Sequence, residues 1–427
     1  MRALLRLSLA AALAGSFIGC RDDVLPTEVN PVRPNSDIIG GGGGGGGVGI
    51  IIDPNQYVSI TAGDDFTCVR RANGKVYCWG QNTFGQTGIG PVRGDCYGLR
   101  NVNCTPAPTL LVNPVSGAPF ITNMVEAGAT HACLVDTNRN PWCWGSGGVG
   151  ELGVNVVWTT AMPPTMVAGP ITVNTISAGT NSTCAQLTNG DISCWGNINR
   201  GTAPVRFTTS AGNVVSLAVG NQHACFIPSR SSSVLCFGKD SEGQGGHVPS
   251  PYTFIVPIST LFGASSGVVT QEQTTCVNSY SGTVHCSGWN TEGMLGNGDT
   301  TLANTTTPVD VGAGGVAQSL SSVTVGKEHA CALDPSGAAF CWGGGKKGEL
   351  GDGLNKSSSV PVAVSGGRAF RGIAAGFHHT CAITAYEIWC WGDNFYSQLG
   401  VFSATPGEPV QAPSPPIEGS SFPIIRR

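Results

Sequence analysis

Past about residue 57 the hydrophobic positions come in short runs, such as Val-Val-Ser-Leu-Ala-Val at 214–219 and Ala-Cys-Phe-Ile at 224–227, and each run stops at Gly, Pro, Asn or Ser. Runs of roughly four to eight residues bounded by turn formers predict β-strands rather than helices. Many of the runs pair around a tight turn. In "HACALDPSGAAFCWG", residues 329–343, the turn is Pro335-Ser336-Gly337. This three-residue loop has glycine third, where a type I turn with a bulge needs a left-handed backbone. Ala72-Asn73-Gly74, Thr188-Asn189-Gly190 and Tyr280-Ser281-Gly282 repeat the arrangement, and Thr137-Asn138-Arg139 is the exception.

The same phrase returns seven times, which predicts a repeat architecture. Its cysteines fall in pairs at 68/78, 133/143, 184/194, 225/236, 276/286, 331/341 and 381/390. Glycine stands five residues before the first cysteine in every unit except the fifth, which has Gln271. Histidine stands two before it at His131, His223, His329 and His379, and glycine stands two after the second cysteine throughout. Counting outward from each turn makes the two cysteines a non-hydrogen-bonded cross-strand pair, about 4.5 Å apart between Cα atoms and within reach of a disulfide. Seven staples are therefore expected: Cys68–Cys78, Cys133–Cys143, Cys184–Cys194, Cys225–Cys236, Cys276–Cys286, Cys331–Cys341 and Cys381–Cys390. The first unit is the longest. Its excess, "GPVRGDCYGLRNVNCTPAP", holds two further cysteines, so Cys96–Cys104 is expected to clip a protruding loop that displays Arg93, Asp95, Tyr97 and Arg100 to a partner.

The chain has 17 cysteines, and the eight pairs leave Cys20 without a mate. "MRALLRLSLAAALAGSFIGC" sets two arginines before an apolar run and ends at that cysteine, which resembles the lipobox of bacterial lipoproteins. Residues 1–19 are expected to be a signal peptide and Cys20 the lipidated N-terminus. Residues 20–47, Pro-rich and closing in a run of glycines, would form a flexible linker, and residues 48–427 a single folded body. The expected location is an exported protein anchored in the cell envelope, with the outer membrane favoured, since Arg21 stands where a retention signal would carry Asp. Export also favours disulfides.

Composition narrows the chemistry. Charged residues make up 11% and the net charge is −4, far from the basic stripe that nucleic-acid binding requires. One cysteine pair per hairpin supplies two ligands where zinc wants four, so no metal is expected. No Gly-x-Ser-x-Gly, phosphate loop or paired-carboxylate motif occurs; neither catalytic residues nor a cofactor are expected.

"VTVGKEHACALDPSGAAFCWGGGKKGELGDG", residues 323–353, resembles a repeat of the regulator of chromosome condensation family. The resemblance extends over roughly residues 57–412 through "MVEAGATHACLV", "SLAVGNQHACFI", "GIAAGFHHTCAI", "GMLGNG", "SQLG" and recurrent Pro-Val pairs. It implies an all-β, seven-bladed β-propeller with four strands per blade, closed between the chain ends. It also implies that the repeated histidine holds its turn to a neighbouring strand rather than doing chemistry. A binding disc of this kind would use the loops at the histidine end, where Phe84, Trp289, Phe395 and Tyr396 lie. The expected function is a monomeric, envelope-anchored binding or scaffolding module for a protein partner, reaching the membrane only through its lipid. The alternatives are an inhibitor of a secreted enzyme acting through these loops, and an enzyme processing carbohydrate or peptide.

Overall fold

The computed structural model describes residues 53–416, apart from 91–92, 97–98, 199–200, 208–212, 232, 246–249, 258–264, 301–303, 312–318 and 402–406. Cys20, the signal and the linker lie outside the described residues. Seven antiparallel sheets follow one another along the chain, and each uses only strands consecutive in sequence. The innermost strands touch in succession, and the last, Gly372–Ala375, returns to the first, Tyr57–Ala62. The fold is a seven-bladed β-propeller.

In place of one central core there are seven, one at each interface between blades. The first and second blades enclose Phe66, Val76, Leu111, Val125, Leu134 and Trp144. The seventh and first enclose Tyr57, Val69, Trp79, Ile383, Ile388 and Leu399. Alternation along each strand explains the division, because successive side chains point to opposite faces and both faces of every blade are covered. Each cysteine pair lies on the face turned to the next blade. Cys133 and Cys143 pack with Trp195, and Cys331 and Cys341 pack with Trp391.

Within each blade the cysteines are direct cross-strand partners, as in Cys68 opposite Cys78 and Cys225 opposite Cys236. Their Cα atoms stand 4.1 Å apart in six blades and 4.0 Å in the sixth, and all seven pairs are bonded. Loop length sets this register, since any loop that preserves the count of paired residues keeps the cysteines opposed. Gly74, Gly190, Gly282 and Gly337 take φ values of 81°, 93°, 80° and 87°.

Arg139 takes the same left-handed position in the second blade with φ 66°. Asp136 braces its turn by accepting from the backbone of Asn138 and Asn140 and from the Trp142 indole. A side chain added at Gly337 would instead meet the Phe370 carbonyl at 2.5 Å. Gly337→Ala is therefore expected to cost about 1–3 kcal/mol, whereas Arg139→Gly should leave stability within about 1 kcal/mol of the native chain. Urea denaturation of the two variants checks both values.

The first blade departs from four strands. β1 (Tyr57–Ala62), β2 (Phe66–Arg71) and β3 (Val76–Gln81) are followed by β4 (Arg93–Cys96) and β5 (Leu99–Leu110), in the order β1-β2-β3-β5-β4. The extra segment thus forms the protruding, clipped loop expected from the sequence as a two-stranded hairpin, β4 pairing with residues 99–103 of β5 beyond the stretch that pairs with β3. Cys96 and Cys104 are bonded with Cα atoms 6.3 Å apart, joining β4 to the lengthened β5. A long β5 offers open backbone groups beyond the reach of β3, and the insertion supplies a partner for them.

Candidate functional site

The loops that close the axial end of the blades are held by two sets of bonds running from blade to blade. In the first set, histidine of one blade meets threonine of the next: His131 with Thr183 at 2.8 Å, His223 with Thr275 at 3.1 Å, His329 with Thr380 at 2.7 Å and His379 with Thr67 at 2.8 Å. Where a blade lacks the histidine and carries Phe66, Ser182 or Thr274, the next has alanine in the threonine position: Ala132, Ala224 and Ala330. The hydroxyl of Thr183 also donates to the Glu151 carbonyl at 2.9 Å and that of Thr380 to the Glu349 carbonyl at 3.1 Å. A hydroxyl that spends its proton on a carbonyl must accept from the imidazole, so His131 and His329 carry their proton on Nε2. A Cβ on Gly128 would run into the His131 ring and the Gly179 carbonyl, which accounts for the glycine repeated at that position. Burial lowers the pKa of His131, His223 and His329 to about 4 and that of His379 to about 3. These imidazoles are neutral struts.

In the second set, each tryptophan before the repeated glycine donates its indole N–H to a carbonyl of the preceding blade. Trp144 reaches Gln86 at 2.8 Å, Trp195 reaches Glu151 at 2.8 Å, Trp342 reaches Met294 at 2.9 Å and Trp391 reaches Glu349 at 2.8 Å. Trp79 closes the ring on Gln398 at 2.9 Å. All five tryptophans are fully buried. Phe237 replaces tryptophan in the blade that follows "GNINRG", where the Gly-x-Leu-Gly turn is missing, so the donor and its acceptor turn are lost together.

This scaffold presents the variable loops. Phe84 and Phe395, on the neighbouring first and seventh blades, are 41% and 48% exposed. Their loops are pinned from beneath. Asn82 accepts from the Thr87 backbone and donates to the Ile89 carbonyl, while Gln86 accepts from the Phe84 backbone. Asn394 and Gln398 do the same for Leu399, Val401 and Tyr396. Tyr396 is half-buried with its ring edge-on to Phe395, 4.8 Å between centroids. Trp289 is half-buried on the fifth blade, so it does not join the aromatics of the seventh and first. Arg93 and Asp95 lie on β4 and Arg100 on β5, in the hairpin that continues past Gln81 at the loop end of β3; Tyr97 lies outside the described residues.

Around the axis the loops carry charge. Lys327 stands 3.9 Å from the centre of the Phe377 ring and 4.0 Å from Glu272. Phe377 stacks on His378, whose Nδ1 is 3.2 Å from Glu349. Burial pushes Asp64 up to about 6 against the pull of Lys327, and pushes Asp65 up to about 6 with the Asp393 charge adding to it. Lys347 is held by Asp393 at 2.9 Å. The repeat places Asp64, Asp65, Lys327, Phe377, His378 and Lys347 on loops at one end of the hairpins, but neither the contacts among their charges nor the buried asparagines were evident from it. The recurrence of Asn or Asp three residues after the aromatic position, at Asn82, Asp240 and Asn394, was the available signal for the latter.

Comparison with known proteins agrees with this geometry. Two models of the regulator of chromosome condensation (RCC1) repeat match the chain, one over residues 57–86 and the other over 73–135, 281–333 and 336–383. The chain is 26% identical over 356 residues to the ultraviolet-B receptor UVR8 of Arabidopsis thaliana, covering 82% of this chain and 68% of the receptor. It is 26% identical over 364 residues to the human E3 ubiquitin-protein ligase HERC2; that match takes in 79% of this chain but only 7% of the ligase. Among solved structures, yeast RCC1 (Prp20) bound to Kap60 superposes with a TM-score of 0.66 at 21% identity, covering 89% of this chain and 91% of that one. Human WBSCR16 gives a TM-score of 0.66 at 17% identity, covering 77% and 87%.

Proposed function

From the premise that this chain is a seven-bladed propeller of regulator of chromosome condensation repeats, we propose that it is an exported, lipid-anchored module that binds a protein through its axial loop face and performs no catalysis of its own. The propeller is a protein-interaction or scaffold fold, and yeast RCC1 was solved in complex with Kap60. The observation that carries the reading here is the pair Phe84 and Phe395. Both are exposed aromatics on adjacent blades, each on a loop immobilised by a buried asparagine and glutamine. Exposed aromatics on pre-ordered loops bind at low entropic cost.

The test is affinity capture from envelope extract with the native chain and with Phe84→Ser/Phe395→Ser. A partner retained undiminished by the double variant would exclude the Phe84 and Phe395 loops and turn attention to the β4–β5 hairpin with Arg93, Asp95 and Arg100. Anchoring rests on the lipobox-like end of the signal at Cys20. Cys20→Ser should move the protein from the membrane fraction to the soluble exported fraction, and unchanged fractionation would remove the lipid from the reading.

A further inference from the structure

One residue past the repeated glycine, the axial loops bring Asp64, Thr180, Asn221, Glu272, Lys327 and Phe377 around a common mouth. Backbone bonds between consecutive loops fix this ring: Asp64 N–H donates to Ala129, Ala129 to Gly179, Asn221 to Glu272, Lys327 to Gly376 and Phe377 to Asp64. Asp64 stands on the first of the seven blades and Glu272 on the fifth, so the two carboxylates lie on opposite sides of the axis.

The ring has more acceptors than donors. Oδ1 of Asp64 and Oδ1 of Asn221 are buried and accept no hydrogen bond. The Thr180 hydroxyl is equally unpartnered, on a side chain more than nine-tenths buried. The Asn221 amide is already committed to Glu272 at 3.2 Å, and Lys327 sits between Glu272 and the face of Phe377. Unsatisfied buried acceptors next to carboxylates and an aromatic face are complementary to a cation that brings its own donors. Among the described residues no three acidic, histidine or cysteine side chains converge to hold a metal ion, which favours a cation carried on a side chain.

We propose that the axial mouth is a receptor for a lysine or arginine side chain of the partner protein, inserted toward Asp64, Thr180 and Asn221. This rests on the loop face being the binding face. The titration of Asp64 and Asp65 adds a readout. These carboxyls face Lys327, Glu272, His378, Asp393 and Lys347, and they ionise near pH 6, so affinity for a cation should fall as pH drops below about 6.

The experiment measures binding of fluorescein-labelled tetralysine amide to the full-length protein by anisotropy at low salt, with tetraglutamine amide as the neutral control. Tetralysine should bind and tetraglutamine should not. Asp64→Asn, nearly isosteric and checked for an unchanged melting temperature, should weaken tetralysine at least tenfold. Thr180→Val should weaken it by a smaller factor. Asp310→Asn removes the same charge from the outer strand of the fifth blade and should have no effect. Equal weakening by Asp310→Asn would mean diffuse attraction to a negative protein and overturn the proposal, as would full binding by Asp64→Asn. Displacement of tetralysine by equimolar calcium chloride would assign the mouth to a metal ion instead. If capture by the native chain is lost in Phe84→Ser/Phe395→Ser while tetralysine fails to bind, this inference falls and the loop reading stands; if capture is undiminished by that double variant, the loop reading falls and takes with it a partner side chain in the mouth, even where tetralysine binds.

Discussion

Acidification from neutrality to about pH 4.5 is expected to lower the melting temperature steeply, because the blade-to-blade struts include four buried neutral imidazoles. An unfolded histidine takes up its proton near pH 6.5, whereas the folded chain holds His131, His223 and His329 neutral down to about 4 and His379 down to about 3. Between those limits the unfolded state binds more protons. The stabilisation is complete above about 6.5 and is lost as pH falls toward 4, on the order of 3 kcal/mol for each fully buried ring. Asp64 and Asp65 act in the opposite sense. Their folded pKa of about 6 exceeds the ordinary 3.8, so the folded state gains protons there and recovers stability below pH 6. Two partly buried carboxyls offset only part of what four fully buried imidazoles lose. Thermal melts across this range test the balance, and Asp64→Asn/Asp65→Asn should make the decline steeper. A melting temperature flat from pH 7 to about 5 would show that the imidazoles are not held neutral.

Trp79→Ala is expected to be the most destabilising single substitution at the seam between the chain ends, at about 3–5 kcal/mol for the lost buried ring. The Gln398 carbonyl, left without its donor, adds about 1 kcal/mol or more. Among the described residues no strand is shared between the first and last blades at this seam. It depends on packing around Trp79, on the His379–Thr67 bond, and on Arg71, whose guanidinium donates to the Pro415 and Pro416 carbonyls at 2.5 and 2.8 Å. Trp79→Phe should cost much less, about 1–2 kcal/mol, since the fourth blade already uses Phe237 at this position. In a repeat protein, damage at one interface spreads first to its neighbours. Hydrogen exchange in Trp79→Ala should therefore accelerate in the first and seventh blades before the fourth. Equal exchange in all blades would mean that the ring unfolds only as a whole.

What the sequence determined by itself is whatever depends on local chain geometry. A three-residue turn sets which residues face each other, so Cys331 and Cys341 could be placed opposite one another from Pro335-Ser336-Gly337 alone, and seven repetitions of the phrase gave the number of blades. Arg139 was visible as the exception to the glycine rule, though not the Asp136 carboxylate that braces it. Tertiary structure decided everything that passes between blades. The threonines that meet the histidines were present in the sequence as an alternation of Thr and Ala, but nothing local says that Thr183 meets His131, because that bond exists only after two hairpins far apart in the chain are stacked side by side. The insertion in the first repeat folds on itself as a hairpin, β4 against residues 99–103, and continues the blade past the end of β3. The acceptor-rich mouth, like the histidine bonds, is decided between blades. Asp64, Thr180, Asn221 and Glu272 come from four different repeats, and only closure of the ring sets them around one axis, where burial removes the water that would otherwise satisfy them.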